Sequence, residues 1–149
     1  MCFRSTSQMS DSLPQEVDTQ ERITRYLTNP DWFNTKTSHI TPQAFKPASP
    51  KPPVRPIRRT SIYRTEGCPE QDIWLIGDEC VSKQHAQQLP ILARADISAQ
   101  AITEEDLLIV PQPRPHYRHG NIEMWPEDEV QRQAKALALA RKANLLVRI

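Results

Sequence analysis

Apolar residues are isolated through the first sixty positions and gather into runs after Thr60. That spacing predicts a folded core over 60–149. Thr60-Ser-Ile-Tyr-Arg-Thr65 alternates, with Ile62 and Arg64 on one parity and Tyr63 on the other, and reads as a strand. Gly67-Cys68-Pro69 reads as a turn, with Pro69 as a first helical residue, where its missing N–H costs nothing. Glu70 and Asp72 then complement the helix dipole. The helix is expected from Pro69 to about Gln84, with Ile73, Ile76, Gly77 and Cys80 on one face, widened by Trp74 and Val81. Ile91 to Ile97 predicts a second strand. Thr103-Glu-Glu-Asp106 resembles a capping box opening one helical turn. Leu107-Leu-Ile-Val110 reads as a short, fully apolar strand, closed by Pro111-Gln-Pro-Arg-Pro115.

Pro126 opens the last expected helix. Glu127, Asp128 and Glu129 stand in its first turn, Arg141 and Lys142 in its last, and it runs to about Ala143. Val130, Ala134, Leu137 and Ala138 form its expected packing stripe. Leu145-Leu-Val-Arg-Ile149 is the final predicted strand. The order implies an α+β fold: a small mixed sheet of about four strands with two main helices on one face.

Ahead of this core, Ile23, Tyr26 and Leu27 fall at i, i+3 and i+4 and predict a short helix over 18–28, capped by Asp18 or Thr19 and ended by Asn29-Pro30. Trp32 and Phe33 follow at once, so 18–41 reads as a short helix and aromatic segment docked on the core. Pro42, Pro47, Pro50, Pro52, Pro53 and Pro56 alternate with basic residues. Proline has no N–H and disfavours the α region before it, so 42–59 reads as a stiff, extended linker. Residues 1–17 are polar with scattered apolar side chains and read as a disordered tail.

Composition sharpens this division. The chain has 149 residues, 38% of them hydrophobic, with 14 prolines and 3 glycines. Net charge is +1, yet Thr35 to Thr65 holds seven basic residues and no Asp or Glu, leaving −6 elsewhere. Three cysteines, Cys2, Cys68 and Cys80, make no disulfide framework and favour a reducing compartment. No apolar run approaches a bilayer span, and the first residues lack the apolar region of a secretory signal. A cytoplasmic location without membrane contact is expected.

The densest polar cluster is His116-Tyr-Arg-His-Gly-Asn-Ile-Glu-Met-Trp-Pro126, expected as a loop between strand and helix, where binding residues usually sit. Arg94 and Asp96 share one strand parity, and Arg64 joins them if the two strands pair. Arg64, Arg94, Arg118 and Asn121 would then hold a phosphate, with His119, His116 and Asp96 as candidate proton-transfer groups. The bland alternative is a solvated sheet face, an ordinary Arg–Asp pair and incidental histidines. His116-x-x-His119 with Cys80 or His85 is too sparse for a structural metal site, so no metal is expected. No phosphate-binding glycine loop occurs, which argues against a nucleotide triphosphatase, and no cofactor is implied. Cys80 sits on the apolar helix face and reads as packing; Cys68 reads as a turn residue. Lys51, Arg55, Arg58 and Arg59 are candidate nucleic-acid contacts, against the alternatives of an inert linker and a P-x-x-P ligand.

Ser61-Ile-Tyr-Arg64, Ile73-Trp-Leu-Ile-Gly77, Arg94-Ala-Asp96 and Arg118-His-Gly-Asn-Ile-Glu-Met-Trp-Pro126 together resemble a group of small, uncharacterised bacterial proteins. The resemblance covers roughly Ile23 to Leu146. It implies a bacterial origin and one compact domain, and it carries no activity.

Two functions remain open on these residues. The first is a non-catalytic binding or accessory protein of a bacterial assembly, with a protein partner and a nucleic-acid contact through the basic segment. The second is a small enzyme acting on a phosphate-bearing or nucleotide substrate through the His116–His119 loop.

Overall fold

The computed structural model describes residues 12–48 and 57–148. Its main element is a six-stranded sheet in which every ladder is antiparallel. The strands are β1 (Arg22–Leu27), β4 (Thr60–Arg64), β5 (Ala93–Ser98), β6 (Leu108–Pro111), β7 (His119–Glu123) and β8 (Asn144–Val147). Their order across the sheet is β6-β7-β4-β1-β5-β8. A separate two-stranded ribbon pairs β2 (Phe33–Asn34) with β3 (His39–Ile40). Three α-helices complete the fold: α1 (Glu70–Ile76), α2 (Ala99–Thr103) and α3 (Glu129–Lys142).

The α+β class holds, while the sheet is larger than expected and antiparallel rather than mixed. The main correction is β1. The expected helix over 18–28 is a central strand, flanked by β4 on one side and β5 on the other. Its apolar residues face both ways. Ile23 and Leu27 join one core and Tyr26 joins a second. A strand covered on both faces does not alternate, and its spacing here coincides with a helical stripe. Residues 60–149 therefore do not hold a complete sheet without β1.

Strand alternation sends the two cores to opposite faces. On the first face, Ile23, Leu27, Ile62, Ala93, Ala95, Ile97 and Ile122 pack with Ala136, Leu139 and Ala140 of α3. On the second, Tyr26 and Tyr63 pack with Ile73, Ile76, Cys80 and Ile91. The helices thus cover both faces, not one. The expected stripe on α3 is shifted: Val130 is 76% exposed, and the buried positions are Ala136, Leu139 and Ala140. Small residues there let the helix lie close to alanines of β5. Two further boundaries move. Ser98 caps α2, accepting from the Ala101 N–H, so the helix precedes the expected turn at Thr103. His119–Glu123 is a strand instead of a loop, and its Gly120 permits close packing: a Cβ there would lie 3.1 Å from the Val110 carbonyl oxygen and 3.3 Å from Ile62 Cδ1.

The front of the chain is more integrated than its composition implies. Within the expected tail, Pro14 accepts a hydrogen bond from Arg64 (2.7 Å) and Val17 packs on the first core. Within the expected linker, Pro42–Ala44 forms a 3-10 turn that buries Ala44 and Phe45, and Ala48 bridges to Arg59. The rest of the expected tail and linker, 1–11 and 49–56, lies outside the described residues. No helix among the described residues is long and apolar enough to cross a membrane.

After Ile76, α1 widens into a π-helical turn over Gly77–Ser82. Gly77 is packed against β1, and a Cβ there would lie 2.7 Å from Tyr26 Cε1 and 3.2 Å from Ile91 Cγ1. The Tyr26 ring is pinned because its hydroxyl donates to the Ile73 carbonyl at 2.5 Å. Gly77→Ala gains up to about 1 kcal/mol of helix propensity but overpacks the contact at a cost of about 1–3 kcal/mol. A net loss of stability is expected in urea unfolding; an unchanged or raised midpoint would show that helix and strand separate freely.

Candidate functional site

The ladder between β1 and β4 covers two residue pairs, Ile23↔Arg64 and Thr24↔Tyr63. Beyond them the strands splay. Arg25 fills the gap: its Nε donates to the Ala44 carbonyl (2.8 Å) and its Nη1 to the Ser61 carbonyl (3.0 Å). The guanidinium also lies 5.4 Å from the centre of the Trp32 ring. On the α1 side of the sheet the splay opens into a cleft of about 280 Å³. Ser61 and His119 line it with Tyr26, Tyr63 and Pro115, the π-helical turn contributes Cys80 and Val81, and Arg25, which shares the parity of Ile23 and Leu27, reaches it through the gap.

His119 is buried, and Ser61 is exposed on the neighbouring strand. Ser61 Oγ lies 2.8 Å from His119 Nε2, and His119 Nδ1 lies 3.0 Å from the Gln112 carbonyl oxygen. A carbonyl only accepts, so Nδ1 carries the proton and Nε2 is left to accept from the serine hydroxyl. Burial pushes the His119 pKa below its ordinary value, with hydrogen bonding to the Gln112 and Arg114 backbone opposing part of that shift. The Tyr63 ring meets His119 edge-on at 5.1 Å and restricts the imidazole. The arrangement is a hydroxyl, a neutral imidazole acceptor and a fixed orienting group at the wall of a cleft.

Arg25 is the cation of the same cleft. Among the described residues no carboxylate lies within ion-pair distance of it, and its hydrogen bonds go to neutral carbonyls. Burial lowers its pKa to about 10. A partly desolvated guanidinium without a counter-charge is costly to the fold and gains from an incoming anion.

The other expected site residues do not converge here. Arg64 faces the α3 side, because its cross-strand partner is Ile23, whereas Arg94 and Asp96 face the α1 side with Thr24. β1 also separates β4 from β5, so the expected pairing of those strands does not occur. Each arginine is already engaged. Arg64 grips both carboxylate oxygens of Glu21 at 2.8 Å. Arg94 pairs with Glu70 (2.8 Å) and Asp96 (3.2 Å) and lies over Trp74. Arg118 donates to the Arg64 carbonyl (2.8 Å) and lies over Tyr117. Asp96 accepts from Thr24 at 2.8 Å, and Asn121 donates to the Gln112 side chain at 2.6 Å. His116 is buried, stacks on Tyr117 and accepts from the Arg118 N–H. The phosphate cradle expected of these arginines is therefore replaced by structural bonds.

Among the basic candidates, Arg59 pairs with Glu123 at 3.1 Å and Arg58 is half-buried, while Lys51 and Arg55 lie outside the described residues. Among the described residues no three His, Cys, Asp or Glu side chains gather as metal ligands would. Cys68 is a buried free thiol whose pKa is raised by burial, and Cys80 is a buried residue at the cleft wall.

Ser61 and Arg25 were not singled out in the sequence as reactive groups. Their signal is faint: a serine that shares its strand parity with Tyr63, and an arginine between the apolar Ile23 and Tyr26. Comparison with protein-family models, with curated proteins and with solved structures finds no match.

The low pKa of His119 has a consequence for stability. Above about pH 6.5 the ring is neutral in both folded and unfolded chains. As pH falls below that, the unfolded chain takes up the proton first, and stability declines until the folded pKa is reached. His119→Gln is expected to shrink the loss of stability between about pH 6.5 and 5, measured by denaturant midpoints at the two ends. An identical loss in the variant would show that other groups carry it.

Proposed function

We propose that the protein is a binding or accessory protein whose cleft at the β1–β4 splay holds a small organic monoanion. The observation that carries this reading is Arg25, a partly buried cation that lines the cleft and has no carboxylate partner among the described residues. One guanidinium suits one negative charge, and its fork matches a carboxylate. The rest of the wall is largely apolar, with Tyr26, Tyr63, Val81 and Pro115 around a few polar groups, which suits a ligand with a flat or aliphatic body. The size of the cleft limits that body to a few carbon atoms or one ring.

The alternative of a phosphate-handling enzyme loses its anion site, because Arg64, Arg94 and Arg118 are spent on Glu21, on Glu70 and Asp96, and on backbone carbonyls. The nucleic-acid contact expected of the basic stretch gains no support from the described residues, since Arg59 is tied to Glu123.

Benzoate is a suitable probe, with benzamide as its uncharged counterpart of the same shape. At about ten times its dissociation constant, benzoate is expected to stabilise the protein by about 1.4 kcal/mol, or roughly 3–6 °C in Tm, while benzamide does not. Arg25→Met removes the effect. Equal shifts with both compounds, or none with either, would count against an anion site; the comparison in the unaltered chain stands even if the variant folds poorly.

A further inference from the structure

The cleft contains more than binding requires. Anion capture needs Arg25 and an apolar wall; it does not need a serine hydroxyl hydrogen-bonded to a buried, oriented imidazole. We propose that Ser61 is a nucleophile that accepts acyl groups from small activated esters, with His119 as its base.

Three features of the geometry support this. Ser61 Oγ and His119 Nε2 are 2.8 Å apart, which is the reach required for direct proton transfer. His119 Nδ1 is held by the Gln112 carbonyl at 3.0 Å, the place that an acidic side chain takes in many nucleophile–base–orienter sets, here filled by a backbone group. Both side chains come from paired strands, with Tyr63 opposite His119 and Ser61 opposite Asn121 in the ladder, so their spacing is set by backbone hydrogen bonds. A site built on strands is more precise than one built on loops. Ser61 is exposed and lines the cleft together with the exposed Gln84 and His85, so a substrate carbonyl has access to Oγ.

The step balances without any further reactant. Ser61 Oγ attacks the ester carbonyl carbon as His119 Nε2 takes the hydroxyl proton. The tetrahedral oxyanion then collapses, the bond to the leaving oxygen breaks, and His119 returns the proton to that oxygen, releasing an alcohol or phenol. Water repeats the sequence on the acyl-serine: it loses a proton to His119, and the serine oxygen recovers it as the carboxylic acid departs. Arg25, in the same cleft, is the positive charge available to the oxyanion and to the carboxylate product. Acylation mapped on Ser61 reads the Ser61–His119 pair and the benzoate shift reads Arg25, so this inference and the binding reading fail separately.

Two reagents test the proposal. A fluorophosphonate transfers its phosphonyl group to an activated serine with loss of fluoride, and 4-nitrophenyl acetate transfers an acetyl group with release of nitrophenolate. Peptide mass mapping of the unaltered chain is expected to place both groups on Ser61. Ser61→Ala is expected to return nitrophenolate release to the rate in buffer. His119→Gln is expected to slow acylation of Ser61 by about 10²–10⁴-fold. Far-UV circular dichroism establishes that each variant is folded. Modification confined to lysines or histidines, absence of any adduct on Ser61, or equal acylation in a folded His119→Gln chain would overturn the assignment. If the variants fail to fold, the mapping on the unaltered chain decides alone.

Discussion

The structure depends on how β1 is joined to β4. The sheet consists of a β6-β7-β4 half and a β5-β8 half, and β1 stands between them. Toward β5 the join is complete, with six residues in register. Toward β4 it rests on two pairs, and side chains supply what the backbone ladder leaves out. Thr24 and Thr65 share a hydrogen bond at 2.7 Å, and Thr24 also donates to Asp96, which in turn receives Arg94. Arg22 donates to the Thr65 carbonyl and Arg64 clamps Glu21 just ahead of β1. Buried polar chains of this kind are favourable only when each member is satisfied, so they specify one register for β1. That is the physical role taken by residues whose types, read in isolation, would suit a phosphate site.

Part of this was legible from the residues. α1 and its face of Ile73, Ile76 and Cys80, the strand at Thr60–Arg64, and the acidic start and basic end of α3 follow from period and dipole. The two elements misassigned share one cause. β1 and β7 are interior strands buried on both sides, so neither alternates. In β1 the two-sided burial imitated a helix. In β7 four successive buried residues, His119, Gly120, Asn121 and Ile122, include three that read as loop formers. Their polarity is tolerated because His119 bonds to Ser61 and Gln112, and Asn121 to the Gln112 side chain. The Ser61 partner stands 58 residues away, and even the nearer bonds to Gln112, seven and nine residues back, follow no regular period that a local pattern would show.

The candidate site shows the same limit. His119 was identifiable from the sequence because histidine is rare and chemically distinctive. Its partners were not, since a serine becomes interesting only when an imidazole stands 2.8 Å away. Arg25 is the sharper case. Between Ile23 and Tyr26 it falls off the apparent helical stripe, on what would be its solvated side, yet it sits in the gap of a sheet, where the missing ladder leaves carbonyls for it to satisfy. The cleft and its cation thus have one origin: the strands part, and the residue that fills the opening brings the charge.

The same arginine bears on how the chain is made. β1 lies near the start, whereas Thr24 finds its Asp96 partner 72 residues later. On a growing polypeptide, β1 must wait for both neighbours, presenting Ile23, Tyr26 and Leu27 together with two unpaired edges. Such a segment is the kind that self-associates unless charges interrupt it. Arg22 and Arg25 supply that interruption within the strand itself, acting as gatekeepers during synthesis before they become a tie and a wedge in the finished sheet.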